Sequence, residues 1–155
     1  MKDNLQQILF PIHSLSNIDI EQYFKHFNIE GKVVPRDKVG KKIKGNSCIV
    51  INLDDSSGPG THWIVLVNSS KSKNLLYYDP FGLEYPPEEV LHMDIKKGLV
   101  ANTSQHQNID SILCGYYCLK VAKSILVDKM NYRDCMLQFT DSPSHHNQDI
   151  ADNLL

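Results

Sequence analysis

At 155 residues, with 41% apolar and 22% charged residues, the chain has the composition of one compact globular domain, residues 1–155, and not of a disordered tail. Its formal charge of -2 is not that of a general nucleic-acid binder, which is usually strongly basic. No stretch approaches the roughly 18 uninterrupted apolar residues needed to span a bilayer, and the N-terminal MKDNLQQILFPIH lacks the apolar run of a secretory signal, so the expectation is a soluble, non-secreted protein with no membrane partner.

In chain order, SNIDIEQYFKHF places Ile20, Tyr23, Phe24 and Phe27 at helical spacing, which predicts a short amphipathic helix with Ser16 or Asn17 as its N-cap. Residues 31–45, GKVVPRDKVGKKIKG, hold six Lys or Arg against one Asp. They read as a basic, glycine-punctuated surface loop, with contact to an acidic partner or a phosphate backbone as the alternative.

SCIVINL (47–53), HWIVLV (62–67) and NLLYY (74–78) are rich in β-branched and aromatic residues and are separated by the turn-forming DDSSGPG and NSSKSK. They predict consecutive strands of an antiparallel sheet. The middle run is apolar on both alternating faces, as in a central strand covered on both sides. YPPEEVLHMDIKKG has early prolines, acids in the first turn and lysines in the last, the polarity of a short helix. In SILCGYYCLKVAKSILVDKM, the residues Cys114, Cys118, Val121, Ile125 and Leu126 fall on one stripe, so a core helix is expected with Cys114 in its first turn. NYRDCMLQF is a candidate short helix, and residues 141–155 read as a mobile tail. The class is α+β, a central, mostly antiparallel sheet flanked by helices.

Four cysteines without an export signal are expected to be free thiols. Cys114 and Cys118 lack a second Cys or His pair at finger-like spacing, so no metal is expected. Thiol chemistry remains. A helix N-terminus stabilises a thiolate through its aligned amides, and Cys114 is placed for that effect, while Gly115 beside it permits close approach of another group. Cys118, one turn deeper, reads as a buried structural thiol.

A thiolate nucleophile needs a nearby His, and that His needs an orienting group. In an antiparallel hairpin the start of one strand lies beside the end of the next, which brings His62 and Asp79 to one edge of the sheet. Acyl transfer also needs donors for an oxyanion. The Cys114 N–H is one, and Gln105, Gln107 and Asn108 are rival side-chain donors just upstream.

The order and wording of GTHWIVLV (60–67), YYDPFG (77–82) and QNIDSILCGYYC (107–118) resemble the adenovirus endopeptidase (adenain) family and its relatives in large DNA viruses, virophages and virus-like transposons. The same clan contains the ubiquitin-like-protein-specific (SUMO) proteases. The resemblance runs from about Val33 to Val121 and includes VVPRD and INLDDSSGPG, wording of the virus type. It implies a cysteine-protease fold with the nucleophile at the N-terminus of a core helix. By resemblance, Cys114 is the nucleophile, His62 its base or ion-pair partner, Asp79 the orienter of His62 and Gln107 the oxyanion donor. Gln107 stands seven residues before Cys114, the adenovirus-type interval; the SUMO-protease interval of six selects Asn108. Trp63 is implied to pack against the pocket, with Gly115 supporting it.

The implied activity is a thiol endopeptidase without a cofactor, cutting capsid or core precursors after Gly-Gly-like sequences during virion assembly, in the virion and in host cytoplasm or a virus factory. The adenovirus-type enzyme is longer and is activated by a disulfide-linked peptide and by DNA. For this shorter, slightly acidic chain either activator stays an open partner, with residues 31–45 the first place to look for a DNA effect. Cys48 and Cys135 read as simple thiols, with capture of a peptide as the alternative. Three rivals are a ubiquitin- or SUMO-like deconjugase, a clan-related acetyltransferase and a non-enzymatic capsid-binding module.

Overall fold

The computed structural model describes residues 14–54, 62–83, 85–106 and 113–139. The predicted tail, 141–155, lies outside them.

Helix α1 (Asn17–Phe27) starts where expected. Ser16 Oγ accepts from Asp19 N–H at 3.2 Å, and the Asp19 carboxylate accepts from Ser16 N–H at 2.9 Å, a reciprocal capping box. Asn28 ends it in the left-handed region (φ 58°). The sheet then runs β1 (Gly31–Pro35), β2 (Ser47–Asn52), β3 (Trp63–Asn68), β4 (Asn74–Tyr78) and β5 (Gly98–Ala101), and these five strands lie side by side in sequence order.

The three strands expected from sequence, β2, β3 and β4, form the antiparallel centre. The edges differ from expectation. β1 pairs with β2, and β5 with β4, in parallel, so the sheet is mixed. A parallel pair needs a crossover, and here the connections that precede β2 and β5 carry Val39, Val90 and Met93 onto one face of the sheet. There they pack against Ile49, Ile51, Ile64, Leu66, Leu75 and Tyr77. The basic segment is therefore not all loop: its first five residues are β1, and a 3-10 turn (Arg36–Lys38) follows.

The helix expected in YPPEEVLHMDIKKG is only one turn, α2 (Glu88–Leu91). The backbone leaves the helical path after it because Asp94 N–H donates to Lys41 O at 2.8 Å. Lys97 does not cap α2 either; its ammonium donates to Asn68 Oδ1 (2.7 Å) and Ser69 O (3.0 Å).

On the other face lie α1, α3 (Cys114–Leu126) and α4 (Tyr132–Leu137). Helix α3 buries ten of its residues, packs chiefly on β3, and touches both α1, which itself packs on β1, and α4. Every residue of β2 and β3 is buried. Fully burying each Val, Ile or Leu of such strands contributes about 1.5–3 kcal/mol before the entropy of ordering is counted. The start of β3 and the start of α3 thus lie in one buried core cluster, which includes Trp63, Leu113 and Cys114.

Candidate active site

His62 immediately precedes β3 and Asp79 immediately follows β4. Because Val65 pairs with Tyr78 across this hairpin, the two residues meet at one end of the sheet, and His62 Nε2 lies 2.7 Å from Asp79 Oδ1. Asp79 is 1% exposed and His62 8%. The Phe81 ring stacks on the imidazole with centroids 4.1 Å apart and planes 4° from parallel. Phe81 N–H also donates to Asp79 Oδ1 at 2.9 Å, so one oxygen serves both the imidazole and the turn.

Burial by itself lowers the His62 pKa. The hydrogen bond to Asp79 and the contact with Cys114, reinforced by the charge of each, outweigh it and raise the value to about 9. Nδ1 is buried without a hydrogen bond of ordinary geometry. The thiol of Cys114 acts on the ring from close range instead.

Cys114 opens α3, and Leu113 at the N-cap offers no side-chain acceptor. The Cys114 Sγ accepts a long hydrogen bond from Trp63 N–H at 3.5 Å. One turn on, Cys118 S–H donates to Trp63 O at 3.4 Å. The Trp63 backbone is therefore tied through both its N–H and its C=O to the first two turns of α3. The Trp63 indole N–H donates to Leu15 O at 3.0 Å. A Cβ on Gly115 would stand 3.1 Å from Leu15 Cβ and 3.4 Å from Trp63 Cδ1, tighter than ordinary contact, so a bare glycine suits this approach.

Cys118, Cys48 and Cys135 are buried free thiols whose pKa values burial pushes up, that of Cys135 to about 12. Among the described residues, no group of three or more His, Cys, Asp or Glu could hold a metal. No helix among them is long and apolar enough to cross a membrane.

The structure thus brings His62, Asp79, Cys114, Trp63 and Gly115 together. Gln107 and Asn108 lie outside the described residues, and the Gln105 side chain is exposed. The chain leading to them is held against the Asp79 turn. His106 N–H donates to Pro80 O at 2.8 Å, the buried His106 Nδ1 meets the Tyr78 hydroxyl at 2.8 Å, and Gly82 (φ +75°) lies so close to Ser104 that a Cβ would be 2.7 Å from its carbonyl carbon. Asn102 binds the Asp79 backbone from the end of β5. Sequence reasoning missed Phe81, Asn102 and the Tyr78–His106 pair. Phe81 was within the quoted YYDPFG; Asn102, in a polar stretch with no periodicity, gave no signal.

The SUMO protease Ulp1, in a structure with its catalytic cysteine oxidised to a sulfinic acid, superposes with a TM-score of 0.51 at 17% identity over 96% of this chain and 83% of that one. The chain has the fold of the Ulp1 SUMO protease. A further structure, the C-terminal Ulp1 protease domain in complex with Smt3, the yeast ortholog of SUMO, gives 0.48 at 18% identity over 96% and 82%. The ASFV pS273R protease gives 0.49 at 20% identity over 70% of this chain and 44% of that one, so the chain spans under half the length of that viral protease. No protein-family model matches the chain and no curated protein matches its sequence; the adenain-type wording therefore rests on the motifs alone.

Proposed function

We propose that the chain is a cysteine endopeptidase in which Cys114 attacks a peptide carbonyl. The observation that carries this is the buried row Asp79–His62–Cys114, with the imidazole bonded to the carboxylate on one side and raised in proton affinity by the thiol on the other. A histidine of pKa about 9 is protonated at neutral pH. It is suited to stabilise a thiolate and then to act as a general acid.

In this mechanism the Cys114 sulfur forms a bond to the scissile carbonyl carbon, and the oxygen takes the negative charge beside the Cys114 N–H at the start of α3. Gln107 is the second donor by resemblance. Collapse of the tetrahedral species breaks the C–N bond as His62 delivers its proton to the leaving amine. Water, deprotonated by His62, then displaces the sulfur and frees the acid. Asp79 keeps the imidazole aligned through both halves.

The substrate class we infer is a capsid or core precursor cut at Gly-Gly-like sites during virion maturation, in a virion or virus factory, because the quoted motifs follow the virus-type wording. Deconjugation of a ubiquitin-like modifier is the second reading, favoured by the fold match that runs along 83% of the Ulp1 chain. The test incubates the protein with Gly-Gly-containing precursor peptides and, separately, with a folded ubiquitin-like fusion, beside Cys114→Ala. Peptide cleavage without fusion cleavage supports maturation; fusion cleavage supports deconjugation. Cleavage of neither, or equal cleavage by the Ala variant, removes the proposal.

A further inference from the structure

We propose that Asn102 is a positioning residue that holds Asp79 in place to engage His62. This rests on the cysteine-protease reading of the site and deepens it.

The β4–β5 ladder ends at the pair Tyr77 and Ala101. Asp79 stands two residues beyond that pair and one beyond Tyr78, which pairs with Val65 of β3, yet it is 1% exposed and its main-chain groups need partners. Gly82 N–H donates to Asp79 O at 2.8 Å within the turn, and the Asn102 side chain supplies the partner of Asp79 N–H and a second donor to Asp79 O. Its Oδ1 accepts from Asp79 N–H at 2.8 Å, and its Nδ2 donates to Asp79 O at 2.6 Å and to Ser104 O at 3.3 Å. A backbone N–H can only donate and a carbonyl can only accept, so the amide orientation is fixed by chemistry. One primary amide thus takes the place of a neighbouring strand's peptide group for a single residue.

No other uncharged side chain of this length presents a donor and an acceptor side by side. A carboxylate in its place would lose the donor to Asp79 O and add a charge near Asp79. The clamp fixes the residue from which the carboxylate hangs, and the carboxylate tolerates little error: its Oδ1 must meet Phe81 N–H and His62 Nε2 together. β5 is short and half-exposed, and Asn102, buried at its end, gives it a role in the chemistry beyond closing the sheet.

The test is made on Asn102→Ala and Asn102→Leu, the second retaining packing volume without hydrogen-bonding groups. The first readout is the His62 imidazole titration by NMR. Among the described residues, the ionisable groups facing His62 are Asp79 and Cys114, and those coupled to Asp79 are Tyr77, Tyr78 and Cys118; the variants alter none of them. A fall of about one pH unit or more from the wild-type value is expected, with kcat on a cleaved peptide reduced about 10- to 100-fold at a KM changed less than about two-fold. Folded variants whose His62 titrates as in the wild type would overturn the proposal. Should both variants unfold, the wild type decides: slow solvent exchange of the Asn102 side-chain amide protons supports the clamp, and exchange at the rate of an exposed amide refutes it. If no peptide is cleaved by the wild type, the protease reading fails, while the His62 titration still judges the role of Asn102.

Discussion

Replacing Asp79 by Asn removes the charge that holds a proton on His62 and leaves a side chain of nearly the same shape. In the wild type the imidazole pKa is raised from the ordinary 6.5 to about 9, a difference worth about 3 kcal/mol between protonation states. A group whose folded pKa lies above its unfolded value stabilises the fold fully below the unfolded value. That stability is lost as pH climbs through the folded value. His62, held by Asp79 and Cys114 together, should therefore contribute about 3 kcal/mol near pH 6, and this should fade across the window from pH 6.5 to 9. In Asp79→Asn, burial acts against the imidazolium with the Cys114 contact alone to offset it, and the His62 pKa should fall well below its wild-type value. Urea unfolding of both proteins at several pH values between 6 and 9 measures this directly. Cys48 and Cys135, buried thiols whose raised pKa owes nothing to Asp79, also lose stability in alkali. Subtracting one protein's curve from the other cancels them. A difference curve that stays flat from pH 6 to 9, or a wild-type His62 resonance titrating near 6.5, would refute the reasoning.

Three further outcomes are expected. Gly82→Ala should cost about 3 kcal/mol, a Tm drop on the order of 10 °C by calorimetry, because the new methyl meets the Ser104 backbone at a positive φ; a change under about 0.5 kcal/mol would show that the turn does not bear on Ser104. Trp63→Phe strands the buried Leu15 carbonyl that the indole N–H now satisfies, so urea unfolding should register a loss of about 1–2 kcal/mol, and no loss would contradict the bond. Iodoacetamide at pH 6 should label Cys114 before Cys48, Cys118 or Cys135, whose burial favours the neutral thiol; peptide mapping that finds any of the three modified first would count against an activated Cys114.

The central strands were legible because β2 and β3 are buried on both faces and so read as continuous apolar runs. The edge strands were not. β1 is a valine pair flanked by Lys32 and Pro35 in a lysine-rich stretch, and β5 is four residues that alternate between exposed and half-buried. Their parallel pairing depends on crossovers whose path is set by packing on the far face, which no local pattern encodes. The α2 region carried the charge polarity of a longer helix, and a tertiary bond from Asp94 to Lys41 overrode it. At the site, hairpin geometry was enough to bring His62 to Asp79, and helical periodicity to place Cys114 in the first turn of α3. Asn102 escaped notice because its partner is the backbone of a residue 23 positions away, and a main-chain contact leaves no mark on residue type.

Trp63 is the chain's single tryptophan, and its amide proton points at the Cys114 sulfur. The protein therefore carries its own spectroscopic probe. Its indole fluorescence comes from one place, the seam between β3 and α3, and its amide resonance belongs to the donor of a sulfur hydrogen bond. Acylation, alkylation or oxidation at that sulfur should each shift both signals without any added label, so the lifetime of a covalent intermediate can be followed in the unmodified chain.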